Sequence, residues 1–534
     1  MTIAEVLGAA GYGTYLSGKW HLSSDLHTPN GAWPTRRGFD EFYGTLEGAG
    51  SYFGTRTLTR GETNIEAEAA DPDFYYTDAI SDNAAGFIRG HHRDRAADPL
   101  FLYLAYTAPH WPLHARQQDV DRYAGRFDEG WDVLRGERMR RLVESGVLDR
   151  GWAISDRDPA VPAWDSTDDH AWQAARMAVY AAQIDRMDQG IGRVLDALEQ
   201  TGRLANTLFV FLSDNGGCAE EMPVETVRDF ITGFVAFDET TRAGDPVRPG
   251  NSPEILPGGE DTYATYGREW ANLSNTPFRE YKHWVHEGGI ATPLIAHWPA
   301  GLGTEPRIVH GPHQLPDVMA TVLELTGAPY PAQYQGRDVL PPEGTSMLPT
   351  WRGEQPPDRT LYWEHEGNAA VRRGRWKLVR KYPGAGNCTT STPTAPSCTT
   401  WPARTPRWWP TSPPTTSAGR TAAACCPASR SWHSTSGGAA PCPSDPLPDP
   451  PSPGVRESGS RHRPAGVSGP VHAAGCLGCS VAGVAGCLLP RLVGVRCRRL
   501  VEPEEFVVAV DQSVEGTASG PELADRVVAV DHER

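Results

Sequence analysis

A chain of 534 residues with 39% hydrophobic and 22% charged side chains has the composition of a globular protein with a sizeable core. Its formal net charge of −16 excludes the basic footprint of a nucleic-acid binder. Anionic ligands stay open, because a local group of Lys, His and metal can oppose the global sign.

Met1 leads into Thr2-Ile3-Ala4-Glu5-Val6-Leu7, the pattern of a helix cap and first turn, with no basic n-region or long apolar run. Residues 3–10 keep helical spacing and stop at Gly11. Residues 74–89 predict a second helix, followed by the apolar run Leu100–Ala105 as a buried strand. The longest helical stretch is 172–198, where Met177, Tyr180, Ile184, Met187, Ile191 and Val194 recur at spacings of three and four. Residues 208–212 are apolar throughout, as a central parallel strand covered on both faces should be. A short strand at 293–296 and a helix at 315–325, ended by Gly327, complete the run. This alternation predicts an α/β fold, a mostly parallel sheet flanked by helices. Strand-like stretches at 361–363, 369–372 and 376–379 predict a small antiparallel C-terminal sheet. Residues 116–169 and 223–267 read as long irregular loops.

Beyond Gly386 the character changes. No lysine occurs after Lys381, and between Cys388 and Leu500 the only acids are Asp445, Asp449 and Glu457. Cys218 is the only cysteine before this point, so residues 1–386 carry no disulfide framework. A reading-frame change near Gly386 would produce such a shift; a disordered Pro/Ser/Thr-rich tail is the alternative.

Four constellations carry candidate chemistry. In Gly18-Lys19-Trp20-His21-Leu22, Lys19 and His21 are two apart and share a face if the segment is extended, which suits an oxyanion; a surface strand would look the same. Arg37-Gly38-Phe39-Asp40-Glu41-Phe42-Tyr43-Gly44 follows closely. His110, in Ala108-Pro109-His110-Trp111-Pro112, falls just past a strand, where ligands of open α/β sheets gather, although loop histidines are often structural. Ser213-Asp214-Asn215-Gly216-Gly217 follows the strand at 208–212, and Asp214 and Asn215 offer hard oxygen ligands for Ca²⁺ or Mg²⁺, or an Asx turn. Lys282 and His283, in the loop that runs to Gly288-Gly289, offer another anion contact or a charged surface loop.

Taken in order, four phrases resemble the type I sulfatases of the alkaline phosphatase superfamily, arylsulfatases above all. They are Thr2-Ile3-Ala4-Glu5-Val6-Leu7 with Gly18-Lys19-Trp20-His21, Ala108-Pro109-His110-Trp111-Pro112, Ser213-Asp214-Asn215-Gly216-Gly217, and Thr276-Pro277-Phe278-Arg279-Glu280-Tyr281-Lys282 with His286-Glu287-Gly288-Gly289-Ile290. The likeness runs over residues 2–382. It implies an alkaline-phosphatase-like catalytic domain at 1–328, a small C-terminal subdomain at 329–386 and a tail at 387–534. It also implies cleavage of sulfate esters by a hydrated formylglycine beside a Ca²⁺ ion acting as a Lewis acid, Mg²⁺ being the lesser alternative. By position, Asp214 and Asn215 resemble half of that metal site. Lys19 resembles the lysine beside the formylglycine, and His21 the histidine that helps the hemisulfate intermediate collapse. His110 resembles the histidine near the leaving-group oxygen, a general-acid candidate, and Lys282 the lysine that binds a sulfate oxygen. The implied partner is a sulfated small molecule or glycan, with no nucleic acid and no membrane.

The chain departs from the family pattern in one respect. The formylglycine motif, of the Cys-x-Pro-x-Arg type, and two further metal aspartates belong upstream of Gly18-Lys19-Trp20-His21, yet residues 1–17 hold no cysteine and no aspartate. The expectation is therefore an N-terminally truncated sulfatase, inactive as written; the rivals are a non-catalytic binder of sulfated ligands and a phosphodiesterase or phosphonate hydrolase. Cys426-Pro427-Ala428-Ser429-Arg430, Cys476-Leu477-Gly478-Cys479 and the apolar stretch 471–489 all lie in the tail and read as accidents.

Overall fold

The computed structural model describes residues 1–225, 227, 238–382, 384, 386–390, 506–511 and 528–531, the last three segments by their backbone alone. Helix α1 (Ile3–Ala9) starts at a reciprocal cap: Thr2 Oγ1 accepts from Glu5 N at 3.0 Å, and Glu5 Oε2 accepts from Thr2 N at 2.7 Å. It leads into the wholly buried strand β1 (Gly13–Gly18), then β2 (Glu41–Thr45), β3 (Leu58–Arg60) and β4 (Thr63–Asn64). Helix α2 (Tyr76–Asp94) precedes β5 (Leu100–Ala105). Helices α3 (Gly130–Glu144) and α4 (His170–Gln200) precede β6 (Thr207–Leu212). Helix α5 (Gly267–Ser274), strands β7 (Leu294–His297) and β8 (Arg307–His310), and helix α6 (Pro316–Thr326) follow. The small sheet is β9 (Thr360–His365), β10 (Asn368–Arg373), β11 (Trp376–Arg380) and β12 (Gly386–Thr390), antiparallel throughout. From the tail come β13 (Phe506–Asp511) and β14 (Val528–Asp531).

Ten strands form the main sheet in the order β8-β14-β7-β6-β13-β5-β1-β2-β3-β4. β1 is parallel to both β2 and β5, and β13 is antiparallel to both β5 and β6, so β6, β5, β1 and β2 run in one sense. Alternating side chains of the central strands serve two cores. Tyr15, Leu100, Leu102, Leu104, Phe209 and Phe211 pack on one face with Ile80 and Ile88 of α2 and Met177 and Ile184 of α4. Leu16, Phe101, Leu208, Val210 and Leu212 pack on the other face with Val6 and Leu7 of α1 and Val322 of α6. The expected flanked, mostly parallel sheet is present, with the small antiparallel sheet after it.

Three findings depart from the sequence expectations. The supposed loop 116–169 contains α3, anchored by Trp131, which sits edge-on to Trp164 and Trp270 at 4.7 and 5.4 Å between ring centres. This helix hides from periodicity because it buries an arginine as well: Arg135 donates to Ser155 O at 2.9 Å and to Thr276 Oγ1 at 3.3 Å. Second, β7 runs antiparallel to β6. Third, two segments of the compositionally odd tail join the main sheet as β13 and β14. The cysteine motifs and the apolar stretch of the tail lie outside the described residues, among which no helix is long and apolar enough to cross a membrane.

The small sheet docks onto residues 279–290. Val285 packs against Ala370 and Val379, Lys377 Nζ meets Glu287 Oε1 at 2.6 Å, and Lys381 Nζ meets Glu280 Oε1 at 2.6 Å. Lys377 is 2% exposed, so its pairing with Glu287 fixes this docking rather than decorating a surface.

Candidate active site

Because β1, β5 and β6 share one direction, their C-terminal ends lie on one edge of the sheet, and Lys19, His110 and Asp214 leave from that edge. Lys19 follows β1 directly and is buried; its backbone N–H donates to Ala105 O at 2.8 Å, which ties it to the end of β5. The extended segment expected here bends instead. His21 has φ 56, a left-handed conformation, and its ring lies so close to Gly48 that a Cβ there would stand 2.3 Å from His21 Cε1. A turn therefore brings Lys19 and His21 to the site, not strand alternation.

His110 is 4% exposed, and its Nδ1 lies 2.7 Å from Trp111 O. A carbonyl only accepts, so Nδ1 carries the proton of the neutral ring and Nε2 holds the lone pair. Burial pushes His110 well below its ordinary pKa, and the charges of Lys19 and Lys282 push the same way against Trp111 O and Glu220. Burial likewise lowers His21 to about 4, with Lys19 and Lys282 lowering it further and Glu47 opposing. Both imidazoles thus feel the same two ammonium groups, although Lys19 and Lys282 are 263 positions apart in the chain. That common field identifies one neighbourhood.

Glu220, which the sequence reading missed, is an acid of this neighbourhood, beside Glu47 and Asp214. Its Oε1 lies 3.7 Å from Lys282 Nζ and 3.4 Å from His283 Nε2, and its Oε2 accepts from Trp111 Nε1 at 2.7 Å. Burial disfavours the carboxylate, but His283, Lys282 and Trp111 together hold its pKa well below the usual range. The only sequence cue was an acidic pair, Glu220-Glu221, shortly after the Asp-Asn-Gly-Gly phrase.

Asp214 and Asn215 open the loop after β6. Asn215 Nδ2 donates to Gly216 O at 3.1 Å, Gly216 N to Gly289 O at 3.0 Å, and Gly217 N to Asn275 Oδ1 at 2.8 Å. Lys282 N donates to Gly217 O at 3.1 Å. The structure therefore joins Asp214 and Asn215 to Lys282 through backbone. One carboxylate and one amide oxygen are the hard donors that suit Ca²⁺ or Mg²⁺, so these residues fit part of such a shell.

The Arg37–Gly44 phrase turns out to be architectural. Arg37 Nε pairs with Glu5 Oε1 at 3.1 Å, Asp40 Oδ2 accepts from Thr14 N at 3.1 Å, and Phe39, Phe42 and Tyr43 are core. A separate cleft of about 250 Å³, lined by Ser51, His114, Thr240, Arg242, Glu260 and Tyr263 among others, includes none of the six candidate residues.

Lys19, His21, His110, Glu220 and Lys282 thus gather beyond the strand ends of a doubly covered α/β sheet. The family model described as Sulfatase matches residues 1–328, and the chain belongs to this family of sulfuric ester hydrolases, of the type I class within the alkaline phosphatase superfamily. An uncharacterized sulfatase of Schizosaccharomyces pombe is 31% identical over 401 residues, which cover 71% of this chain and 68% of that protein. An arylsulfatase of Klebsiella aerogenes is 30% identical over 359 residues, 65% of this chain and 72% of its own. The solved structure of Ps i-CgsB in complex with k-i-k-neocarrahexaose matches at 22% identity and a TM-score of 0.47, covering 72% of this chain and 66% of that one. The chain spans roughly two thirds of the length of these relatives.

Proposed function

We propose that this chain binds the sulfuryl group of a sulfated small molecule or glycan among Lys19, His21, His110 and Lys282. The observation that carries the reading is that Lys19 and Lys282 converge on His21 and His110, the Lys282 backbone being tied to the Asp214 loop at Gly217 O. Lys19 and Lys282 supply charge-assisted donors to sulfate oxygens. His110, neutral with its Nε2 lone pair, becomes a proton donor to a leaving oxygen only once the bound anion offsets the lysine charges. Asp214 and Asn215 would hold part of a Ca²⁺ shell, Mg²⁺ being second choice; such an ion polarises a sulfate oxygen when bound.

Hydrolysis in this family calls for a formylglycine made within a Cys-x-Pro-x-Arg type motif, and the one cysteine of residues 1–328, Cys218, lies between Gly217 and Ala219 rather than in such a motif. We therefore expect the polypeptide of this sequence to bind sulfate esters with negligible turnover.

Calorimetric titration with inorganic sulfate and with an aryl sulfate, Ca²⁺ present, tests the binding. Lys19→Ala and Lys282→Ala should each weaken it roughly 10- to 100-fold, the loss of a hydrogen bond to a charged group. Unchanged affinity in both variants would refute the pocket. Turnover of the aryl sulfate that disappears in Lys282→Ala would instead overturn the expectation of inactivity.

A further inference from the structure

Beside the sulfate pocket, and independent of it, His283 meets the small sheet. His365 ends β9, and Glu366 begins the turn to β10 in a left-handed conformation, φ 51. His283 is also left-handed, φ 82. Among the described residues, ligand atoms of His283, His365 and Glu366 all lie within 4.8 Å of one another. Two of the spacings are shorter: His283 Nδ1 to Glu366 Oε2 is 3.4 Å, and His365 Nε2 to Glu366 Oε1 is 4.0 Å. The other nitrogen of His283, Nε2, lies 3.4 Å from Glu220 Oε1.

We propose that His283, His365 and Glu366 form a binding site for a borderline transition-metal ion, Zn²⁺ first among them, which ties the Lys282 segment to the small sheet. Two imidazoles and one carboxylate with a fourth position for water is a donor set that Zn²⁺ takes. It is the wrong set for Ca²⁺ and Mg²⁺, which prefer oxygen alone. Ligand atoms around a tetrahedral Zn²⁺ with bonds of about 2.0–2.1 Å stand about 3.3 Å apart. The 3.4 Å spacing already meets that, and the others close by rotation of side chains that are 36–42% exposed.

Glu220 strengthens the case. Once a metal takes the place of the proton on Nδ1, which faces Glu366, Nε2–H of His283 donates to Glu220 Oε1 at 3.4 Å. A carboxylate behind an imidazole orients the ring and raises its basicity toward a metal. The same carboxylate reaches Lys282, so the ion would stand one side chain away from the sulfate pocket without entering it.

The ion's chemistry is distinct from that of Asp214 and Asn215, so its test needs no sulfate and no turnover. The full chain, stripped with a chelator, is titrated with Co²⁺ while the visible absorption of low-symmetry Co²⁺ is followed, and Zn²⁺ is then added. One Co²⁺ per chain, displaced by Zn²⁺ but not by Ca²⁺, is expected. His365→Ala and Glu366→Gln, at an exposed turn, should each weaken Co²⁺ roughly 10-fold or more, and Glu220→Gln should do so about 10-fold through His283. Zn²⁺ should also raise the unfolding temperature of the unaltered chain and not of His365→Ala. No Co²⁺ absorption, or absorption and affinity unchanged in the His365→Ala, Glu366→Gln double variant, would overturn the proposal and reduce the contact to an ion pair.

Discussion

The carbonyl oxygen of Gly288 stands 1.8 Å from where a Cβ on Gly216 would lie. The loop carrying Asp214 and Asn215 therefore meets the Lys282 segment backbone to backbone. A methyl group at 216 has to displace main chain, since no flexible side chain is there to give way. Gly216→Ala should destabilise the protein by about 1–3 kcal/mol, the range for forcing extra volume into a packed contact, and should also weaken sulfate binding. Urea denaturation and sulfate calorimetry on the same variant check both, and an unchanged denaturation midpoint would contradict the contact.

Burial first, and then two ammonium groups, hold His21 and His110 neutral at pH 7. A sulfate among the four groups offsets those charges and brings negative charge of its own, so both pKa values rise although the rings stay buried. Binding then takes up protons, so affinity must fall as pH rises. For His21 the window opens upward from its lowered value of about 4. Sulfate should bind several-fold more tightly near about pH 5.5 than near about pH 7.5. Calorimetry in two buffers of different ionisation enthalpy measures the uptake directly; no buffer dependence would mean that neither ring responds to the anion.

How far the sequence reached follows from which forces leave a trace in it. The strands Leu100–Ala105 and Thr207–Leu212 were legible because burial on both faces writes an unbroken apolar run. Helix α4 was legible from its three-and-four spacing. Helix α3 was not, because Trp131 and Arg135 are satisfied by partners distant in sequence, Trp270 and Thr276. His110 and Asp214 were expected just past strands, where the structure has them, since strand direction follows from the α/β alternation. The turn at His21 and the role of Glu220 were invisible: a left-handed histidine and a carboxylate among distant cations depend on tertiary contacts that no local pattern encodes.

Glu220 offers its carboxylate to Lys282, and a bound sulfate would compete for the same ammonium. Glu220→Gln keeps the shape and removes the competing charge. Sulfate affinity should rise by roughly 3- to 10-fold, a modest part of a contact-distance ion pair in a partly hydrated setting. The gain should shrink as salt is raised. Because Glu220 also props up the pKa of His110, proton uptake on binding should fall in the variant. A loss of sulfate affinity would show that Glu220 mainly holds Lys282 in place.

Two further histidines set the acid limit of the fold. His114 is 1% exposed; its Nδ1 accepts from Tyr52 N at 3.3 Å, so Nε2–H donates to Thr262 O at 2.7 Å, and a second proton would have to face the Tyr52 N–H. Its pKa is pushed down to about 4, by burial first. His297, at the end of β7, is 3% exposed and is lowered to about 4 by burial alone. A histidine whose pKa is lower in the folded state than in the unfolded chain favours folding fully above its ordinary value of about 6.5, and that contribution is lost as pH falls toward about 4. By about pH 5 each ring should have cost about 2 kcal/mol of stability. His297→Phe removes one titrating ring with little change of shape, so its stability should fall less than that of the unaltered chain between about pH 7.5 and about pH 5, by about 2 kcal/mol. Urea denaturation at the two pH values gives the comparison, and an identical pH dependence in the variant would show that His297 is not buried neutral.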